Sequence, residues 1–225
     1  MFLQQLRDDP LFFFAAALTV VLSITLHELA HGVAALAQGD TTPRDRGHMT
    51  LNPIVHMGAF SIILFLVAGI AFGAMPVNPA RFRGRHGRAI VAVAGPLANL
   101  ALAAVALVAL GLWIRFAGAW GNEHLAVTAG NGQRVLWIFA KFNVALFILN
   151  MLPLPPLDGS SILASFHRGF DRFASRPENM PWFFAGLLAV FFLSERSGWG
   201  FFTLAEHAGL AVLNLVSGAD LSLTR

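Results

Sequence analysis

The most constraining feature of this chain is an apolar run that contains two histidines and a glutamate. Residues 11–37 are apolar except for three hydroxyl-bearing side chains and the ionisable residues of segment 27–31, HELAH. A run of this length can cross a bilayer as a helix, and a charged group near the centre of such a helix costs about 2.5–3.5 kcal/mol on insertion scales. The run therefore predicts a functional site at membrane depth.

The spacing of the two histidines indicates what kind of site this is. Residues four apart lie on one face of a helix, so His27 and His31 can direct ring nitrogens at one metal ion. The Glu28 carboxylate lies beside them, and H-E-x-x-H is the arrangement of zinc proteases in which the glutamate is the general base. The alternative is a soluble core helix with a hydrogen-bonded histidine pair, which the apolar surroundings disfavour.

Composition favours a membrane protein with several crossings. Of the 225 residues, 56% are hydrophobic and 12% are charged, and the mean hydropathy is +0.67. Cysteine is absent, which excludes a disulfide framework and leaves His, Asp and Glu as metal ligands. The net charge of +3 is typical of basic loops on a membrane protein and does not indicate nucleic-acid binding.

Four apolar runs predict the central helices. Long helices are expected at about 11–37, ending at Gly39, and at about 89–114. A third is expected at about 135–152, after a polar, glycine-rich loop. Between the first two, the apolar run 58–74 is short and interrupted by glycines. The first run is too long for a signal sequence that is removed, and cutting after it would discard the histidines.

The remaining segments complete the expected fold class. The loop 40–57 contains two prolines and could hold a short β-ribbon at 49–51. Apolar runs at 182–193 and 201–216 leave the number of late crossings open. The chain is therefore expected to be an all-α polytopic membrane protein with about 4–6 transmembrane helices in a single domain over 1–225. Its catalytic core is expected at about 11–160, with further helices at about 180–218.

A proline-rich segment after the third long helix supplies the candidate third ligand. Three prolines within 150–159 end the helix near the membrane boundary, where irregular backbone must be covered by protein or line a water-filled cavity. Asp158 can then bend toward the histidines as an oxygen ligand. The alternative is a surface turn with Asp-Gly at its tip. The loop histidine His56 is a weaker candidate, because such histidines are more often solvated or bonded to backbone.

Three asparagines lie within the three predicted long helices. Asn99 follows a Gly-Pro pair that should produce a kink or a close helix contact, and its amide is expected to bond to a neighbouring helix. Asn143 and Asn150 are seven residues apart on one helical face. They could line the same polar cavity or bond between helices.

The ligand set also predicts the topology. If the ends of the helices at 11–37 and 135–152 face one metal, the chain between these helices must cross the membrane an odd number of times. Only one of the two intervening apolar runs can then cross, and 58–74 is the better candidate for a re-entrant segment. Nine arginines then fall on the metal side and three on the other, which predicts that the metal side faces the cytoplasm.

Five segments of the chain occur together in an order that resembles the site-2 protease family of intramembrane zinc metalloproteases. They are 27–32 (HELAHG), 50–53 (TLNP), 76–79 (PVNP), 94–99 (AGPLAN) and 150–159 (NMLPLPPLDG). The resemblance implies a three-helix catalytic core with a metal near the cytoplasmic side. It implies His27, His31 and Asp158 as zinc ligands, Glu28 as catalytic base and Asn150 as a group that steadies the substrate carbonyl.

The chain departs from the family at Met57-Gly58, where many relatives carry Asp-Pro after the histidine equivalent to His56. It also leaves no sequence for a PDZ or CBS domain, so a compact form of the family is expected. The expected function is zinc-dependent hydrolysis of peptide bonds within or near transmembrane segments of other proteins, as a multi-pass protein of the cell membrane. The carbonyls of a helical substrate are engaged in hydrogen bonds of the helix, so the substrate must unwind locally before attack. Substrates are therefore expected to contain helix-breaking residues.

The alternative function is a non-catalytic membrane metal-binding or transport protein with the same ligands. The intact Glu28 favours the enzyme, because a binder has no need of that carboxylate. The sequence leaves the oligomeric state, the physiological substrate and the trigger for cleavage open.

Overall fold

Three long apolar helices form the framework of the protein. The computed structural model describes residues 2–117, 123–186, 189 and 200–218, and within this part the chain is helical with no β-strand. Three helices of the described part could cross a membrane by length and composition: Pro10–Ala37, Gly87–Phe116 and Gly130–Asn150. The prediction of an all-α membrane protein is confirmed. The number of crossings stays a prediction, because two further apolar helices are shorter.

The helices are labelled in chain order as α1 (Gln5–Asp8), α2 (Pro10–Ala37), α3 (Thr42–Asp45), α4 (Pro53–Ala68), α5 (Gly87–Ala117), α6 (Glu123–Asn150), α7 (Asp158–Phe166), α8 (Arg168–Ala174) and α9 (Phe201–Ser217). Residues 180–186 are also helical. Half of the apolar run predicted at 182–193 lies outside the described residues, and the run at 201–216 corresponds to α9.

Local chemistry sets the ends of α2, the helix that carries the HELAH segment. The side chain of Asp9 accepts a hydrogen bond from the Phe12 N–H at 3.1 Å, and Pro10 occupies the first turn, where its missing N–H costs nothing. At the other end Gly39 adopts a φ of +93°, which ends the helix. The predicted bounds of this helix are therefore correct to within one residue at its start.

The start of α6 differs from the sequence expectation. Residues 123–134 are helical rather than a loop, although they are polar and contain Gly130 and Gly132. A helical glycine costs only about 1 kcal/mol relative to alanine, so it does not forbid a helix. At Gly132 a Cβ would lie 2.6 Å from the Trp113 ring, so the missing side chain allows α5 and α6 to pack closely. This contact between α5 and α6 cannot be predicted from the sequence around Gly132.

The apolar run at 58–74 folds as a short helix followed by an extended return. Helix α4 has 16 residues, is kinked at Gly58 and ends at Gly69, where φ is +77°. The Ala74 N–H then donates a 2.9 Å hydrogen bond to the carbonyl of His56 in the first turn of α4. The chain thus returns to the level at which α4 began, as expected for a re-entrant segment. The short β-ribbon expected at 49–51 is not confirmed, since these residues form bends and irregular backbone.

Helices α2 and α6 run parallel to each other, and α5 runs antiparallel between them. Near the start of α2, Asp9 pairs with Arg134 of α6. Near its end, His31 contacts Val91 at the start of α5. This arrangement brings the end of α6, and with it Asp158, to the end of α2 that carries the histidines.

Small residues and one ion pair hold α9 against the framework. One cluster joins α5, α6 and α9 through Ala106, Ala140 and Leu213, and a second contains Ala103 and Ala205. Alanine at such contacts is typical of membrane helices, because it lets backbones approach. Lys141 of α6 also pairs with Glu206 of α9 at 2.8 Å. Large apolar side chains project outward, with Leu18 at 60% and Val105 at 70% exposure, as lipid contact requires.

Candidate metal centre

Two histidines of α2 and the first residue of α7 meet at one point. The His27 Nε2 atom lies 3.0 Å from His31 Nε2 and 3.1 Å from Asp158 Oδ2, and His31 Nε2 lies 3.3 Å from the same oxygen. Both histidines are 7% exposed, and their rings are nearly perpendicular at 84°. The structure therefore brings together the three residues that the sequence predicts as ligands.

The donor atoms fit a tetrahedral zinc ion. Ligand atoms of such an ion, with bonds of about 2.0–2.1 Å, lie about 3.3 Å from one another, close to the three distances between these atoms. Asp158 Oδ2 is buried and has no aligned hydrogen bond. A buried oxygen of this kind is costly unless a cation or donor occupies the space before it. Two imidazoles and a carboxylate also form a recognised catalytic zinc set that leaves one position open.

Helix α5 orients both imidazole rings. The Nδ1–H of His31 donates to the Val91 carbonyl at 2.7 Å, and the Nδ1–H of His27 donates to Asn99 Oδ1 at 2.6 Å. Because Nδ1 carries the proton in each ring, Nε2 offers a lone pair to the site. Pro96 lies in the same part of α5 and has no N–H for the helix ladder. Its missing N–H leaves the carbonyl of Ala92, next to the carbonyl that His31 uses, without its usual donor in the helix.

A chain of amides supports His27 from behind. Asn99 donates from Nδ2 to Asn143 Oδ1 at 3.0 Å, and Asn143 donates to the Phe139 carbonyl at 2.9 Å. Both asparagines are fully buried. The expected partner of Asn99 on a neighbouring helix is thus Asn143, and the second partner is a candidate metal ligand. A buried network with every member bonded fixes the orientation of the ring.

Two glycines make the close approaches at this site possible. A Cβ on Gly95 would overlap His31 Nε2 and would lie 2.6 Å from the His27 ring. A Cβ on Gly159 would overlap the carbonyls of Met151 and Leu152. The glycine of the Gly-Pro pair therefore admits the imidazoles, and the glycine after Asp158 admits the turn that aims the carboxylate. The sequence predicts a close contact at Gly95 but does not say with what.

Glu28 borders a cavity that adjoins the three candidate ligands. The cavity has a volume of about 430 Å³ and extends from the ligands to Phe82 and Arg88. Phe82 belongs to the arginine-rich segment 81–86 (RFRGRH) before α5, here called the basic loop. Glu28 is 7% exposed. Opposite it runs the extended segment 71–78, and a Cβ on Gly73 would lie 2.6 Å from Glu28 Oε1. Glu28 is thus close to the ligands yet faces space in which a substrate could lie.

The structure separates the remaining sequence candidates. Asn150 borders the cavity and donates from Nδ2 to the Leu146 carbonyl at 3.0 Å. Asn143 is not among the lining residues and bonds between helices instead. Of the two roles considered for this pair, lining a polar cavity therefore describes Asn150, and bonding between helices describes Asn143. His56 bonds through Nε2 to the Thr50 carbonyl at 2.7 Å and is not in the group of candidate ligands. The bonding of His56 to backbone, favoured from the sequence, is what the structure contains.

Buried H-E-x-x-H histidines, a distant aspartate and a framework of apolar helices together define the class of membrane-embedded metallopeptidases. Residues 14–118 match the model described as Peptidase family M50. Over these residues the chain matches this family, and its resemblance to the site-2 proteases is confirmed.

Curated relatives carry names of the same kind. The chain is 40% identical over 148 residues to "Putative zinc metalloprotease YwhC" of Bacillus subtilis, covering 65% of this chain and 66% of that protein. It is 29% identical over 188 residues to the similarly named Rip2 of Mycobacterium tuberculosis H37Rv, covering 80% and 68%. For sll0528 of Synechocystis the identity is 31% over 149 residues, covering 66% and 30%.

The match thus spans slightly less than two thirds of YwhC, and of Rip2 from Mycolicibacterium smegmatis it spans 53%. No solved structure gives a significant match.

Proposed function

We propose that this protein is an intramembrane zinc endopeptidase that cleaves transmembrane segments of other membrane proteins, in the manner of regulated intramembrane proteolysis. One observation carries the proposal. The donor atoms of His27, His31 and Asp158 lie within 4.8 Å of one another, and Glu28 borders the same cavity. The names of the relatives as zinc metalloproteases support it.

The roles of the residues follow from their positions. His27, His31 and Asp158 would hold zinc, which when bound supplies Lewis acidity to water and to a peptide carbonyl. Glu28 takes a proton from the attacking water on its carboxylate and passes it to the nitrogen of the leaving amine as the C–N bond breaks. Asn150 can hydrogen-bond to the substrate carbonyl from the cavity wall and so stabilise developing negative charge.

The cavity also suggests the form of the substrate. Its wall is largely apolar around the ionisable groups, with Ile24, Ala71 and Met75 among the lining residues. An apolar peptide would fit such a wall, but a helix hides its carbonyls in its own hydrogen bonds. Membrane spans with helix-breaking residues, which unwind at low cost, are therefore the proposed substrates. Arg88 at one end of the cavity and the basic loop beside it support a site that opens toward the cytoplasm.

The direct test compares wild type with Glu28→Gln. Each protein is purified, its zinc is measured by mass spectrometry, and a panel of membrane-span reporters is incubated with it. Glu28→Gln should keep about one zinc per chain, because the ligands are intact, and should lose about 10²–10⁴-fold in turnover, the usual contribution of a general base. The matched control is Glu178→Gln, at a carboxylate whose side chain is 70% exposed, and it should behave as wild type.

Two results would contradict the proposal. Cleavage by Glu28→Gln at the wild-type rate would remove Glu28 from the role of base. A wild-type protein that binds zinc, cleaves no reporter and carries the ion across liposome membranes would favour the alternative of a metal-binding or transport protein.

A further inference from the structure

An extended stretch of backbone lies directly against the proposed catalytic base. Residues 71–78, here called the cavity-wall segment, follow Gly69 and contain no helical turn. Several of them line the cavity, and a Cβ on Gly73 would lie only 2.6 Å from Glu28 Oε1 and 2.7 Å from Ile24 Cγ2. Because the backbone and the carboxylate are in contact, a shift of the segment must change the position of one or the other.

Three hydrogen-bonding groups hold the cavity-wall segment on the side away from the cavity. The Ser61 hydroxyl, which is fully buried, donates to the Phe72 carbonyl at 2.7 Å and accepts from the Phe72 N–H at 2.9 Å. The His56 carbonyl accepts from the Ala74 N–H at 2.9 Å. The third group is Asp40, whose Oδ2 accepts from the Asn78 N–H at 2.6 Å.

Asp40 differs from the other two groups in its origin. Ser61 and His56 belong to α4, which continues into the segment and can move with it. Asp40 lies just after α2, the helix that carries Glu28, and its own N–H donates to the Ala35 carbonyl in the last turn of α2 at 2.9 Å. The Asp40 carboxylate is therefore a fixed extension of the helix that bears the base.

The surroundings of Asp40 hold it in place as an anion. The side chain is fully buried, and its Oδ1 accepts from the Thr42 N–H at 3.0 Å and from the Thr42 hydroxyl at 2.5 Å. The Arg81 guanidinium lies 3.8 Å away. Burial alone would raise the pKa of Asp40, but these donors and the Arg81 charge lower it below its usual range, so the group is ionised at neutral pH.

We propose that Asp40 is a positioning residue for the hydrolysis. By binding the Asn78 N–H it fixes the cavity-wall segment relative to α2, and so sets the place of the Glu28 carboxylate beside the scissile peptide. The inference rests on the proposed function of Glu28 as the base. It acts on turnover, because a displacement of about 1 Å at a reacting group can cost about 10²-fold in rate.

The test replaces one acceptor oxygen. Asp40→Asn keeps the shape of the side chain but removes the charge and one of the two acceptors. The matched control is Asp45→Asn at the end of the neighbouring helix α3, since Asp45 is exposed, accepts from the Thr41 hydroxyl at 2.7 Å and lies 3.9 Å from Arg81. Each full-length, zinc-loaded protein is examined by amide hydrogen exchange, zinc content and steady-state kinetics on a reporter span.

The expected results separate positioning from general stability. In Asp40→Asn, amides in residues 69–80 should exchange about tenfold faster or more, because a charge-assisted hydrogen bond is lost, while those of α2 and α5 stay as in wild type. Zinc content should be unchanged, kcat should fall about tenfold or more, and KM should change less than threefold. A second hydrogen bond joins the end of α2 to the loop before α5, from the Arg83 N–H to the Gln38 carbonyl. It is unaffected by the substitution and should keep the fold intact. Asp45→Asn should match wild type throughout.

Several outcomes would overturn the inference: unchanged exchange at 69–80, faster exchange with unaltered kcat, or loss of zinc from Asp40→Asn. If the variant does not fold, amide exchange in the wild type tests the role of Asp40 instead. The Asn78 amide should then be as protected as helical amides. Exchange of the Asn78 amide as fast as that of the Gly84 amide would contradict the proposal that Asp40 holds this segment. If wild type cleaves no substrate, the proposed function has failed, and the exchange of 69–80 in the two variants then decides the role of Asp40 as anchor by itself.

Discussion

At the residue scale, the amide behind His27 should control metal affinity. Asn99→Ala removes the acceptor at Nδ1 of His27, so the ring loses the bond that fixes its tautomer and direction. Loss of such a partner typically weakens metal binding about 10–100-fold. Competition with a chromogenic chelator should measure this change. Asn150→Ala is the matched control, because the Asn150 side chain on the cavity wall donates to the Leu146 carbonyl and not to a candidate ligand, and it should keep wild-type affinity.

Two glycine substitutions should separate metal binding from catalysis. Gly95→Ala places a methyl group on the two imidazoles and should remove zinc. Gly73→Ala places one on Glu28 and Ile24, and should retain zinc while lowering kcat by about 10²-fold. Gly130→Ala, whose added Cβ meets nothing within 4 Å, is the control and should leave both unchanged. The zinc content of each variant and its turnover of one reporter would be measured. Equal loss of zinc from Gly95→Ala and Gly73→Ala would contradict the expectation that only Gly95→Ala affects metal binding.

The sequence could predict those site residues that carry a local signal. His27, Glu28 and His31 are ionisable groups inside an apolar run, and Asp158 lies in a segment where prolines stop a helix. Gly73, Asp40 and Ser61 carry no such signal. Their importance depends on contacts with Glu28, Asn78 and Phe72, respectively. These partners are separated from them by 45, 38 and 11 positions in the sequence, so the contacts exist only once the chain has folded.

At the element scale, the ion pair between α6 and α9 should position α9. The side chains of Lys141 and Glu206 are 25% and 35% exposed, and they lie in a region where charge is costly without a partner. Lys141→Glu would place two carboxylates together and should lower the free energy of unfolding by roughly 2 kcal/mol. This value lies between those for exposed and for buried ion pairs, because the two side chains are partly exposed. For a protein of this size that is a fall in Tm of about 4–8 °C.

The control for the ion pair is the exchanged double variant, Lys141→Glu with Glu206→Lys. It restores opposite charges at the same contact, so thermal unfolding in detergent should return most of the lost Tm. A double variant no more stable than Lys141→Glu would show that α9 is held by its apolar clusters alone.

Element boundaries were predictable where composition changes abruptly. The ends of α2 coincide with a capping aspartate and a glycine, and both are visible in the sequence. The start of α6 was not predictable, because its first turns are polar and contain glycines that in the folded protein admit a tryptophan of α5. The return of the chain after α4 was anticipated from its length and from the topology, whereas the bonds that hold it were not.

At the scale of the whole molecule, the parallel course of α2 and α6 fixes which loops share a side of the membrane. The candidate ligands lie at the end of α2, where α5 begins and α6 ends, so the basic loop before α5 and helix α8 lie at that same end. Arg88, in the first turn of α5 just after this loop, pairs with Asp171 of α8 at 2.6 Å, which holds α8 beside the mouth of the cavity. The excess of arginine at this end favours the cytoplasmic side.

The topology can be tested directly because the chain contains no cysteine. Single cysteines at the exposed positions Arg46, Arg85 and Arg168 should react with a membrane-impermeant maleimide only after the membrane is opened, since all three lie at the end that carries the ligands. A cysteine at Asp8, at the other end of α2, should react with intact cells. Labelling of position 46 in intact cells would place the metal on the outer face. Labelling of 46 and 85 from different sides would require α4 and its extended return to cross the membrane, which the hydrogen bond between Ala74 and His56 opposes.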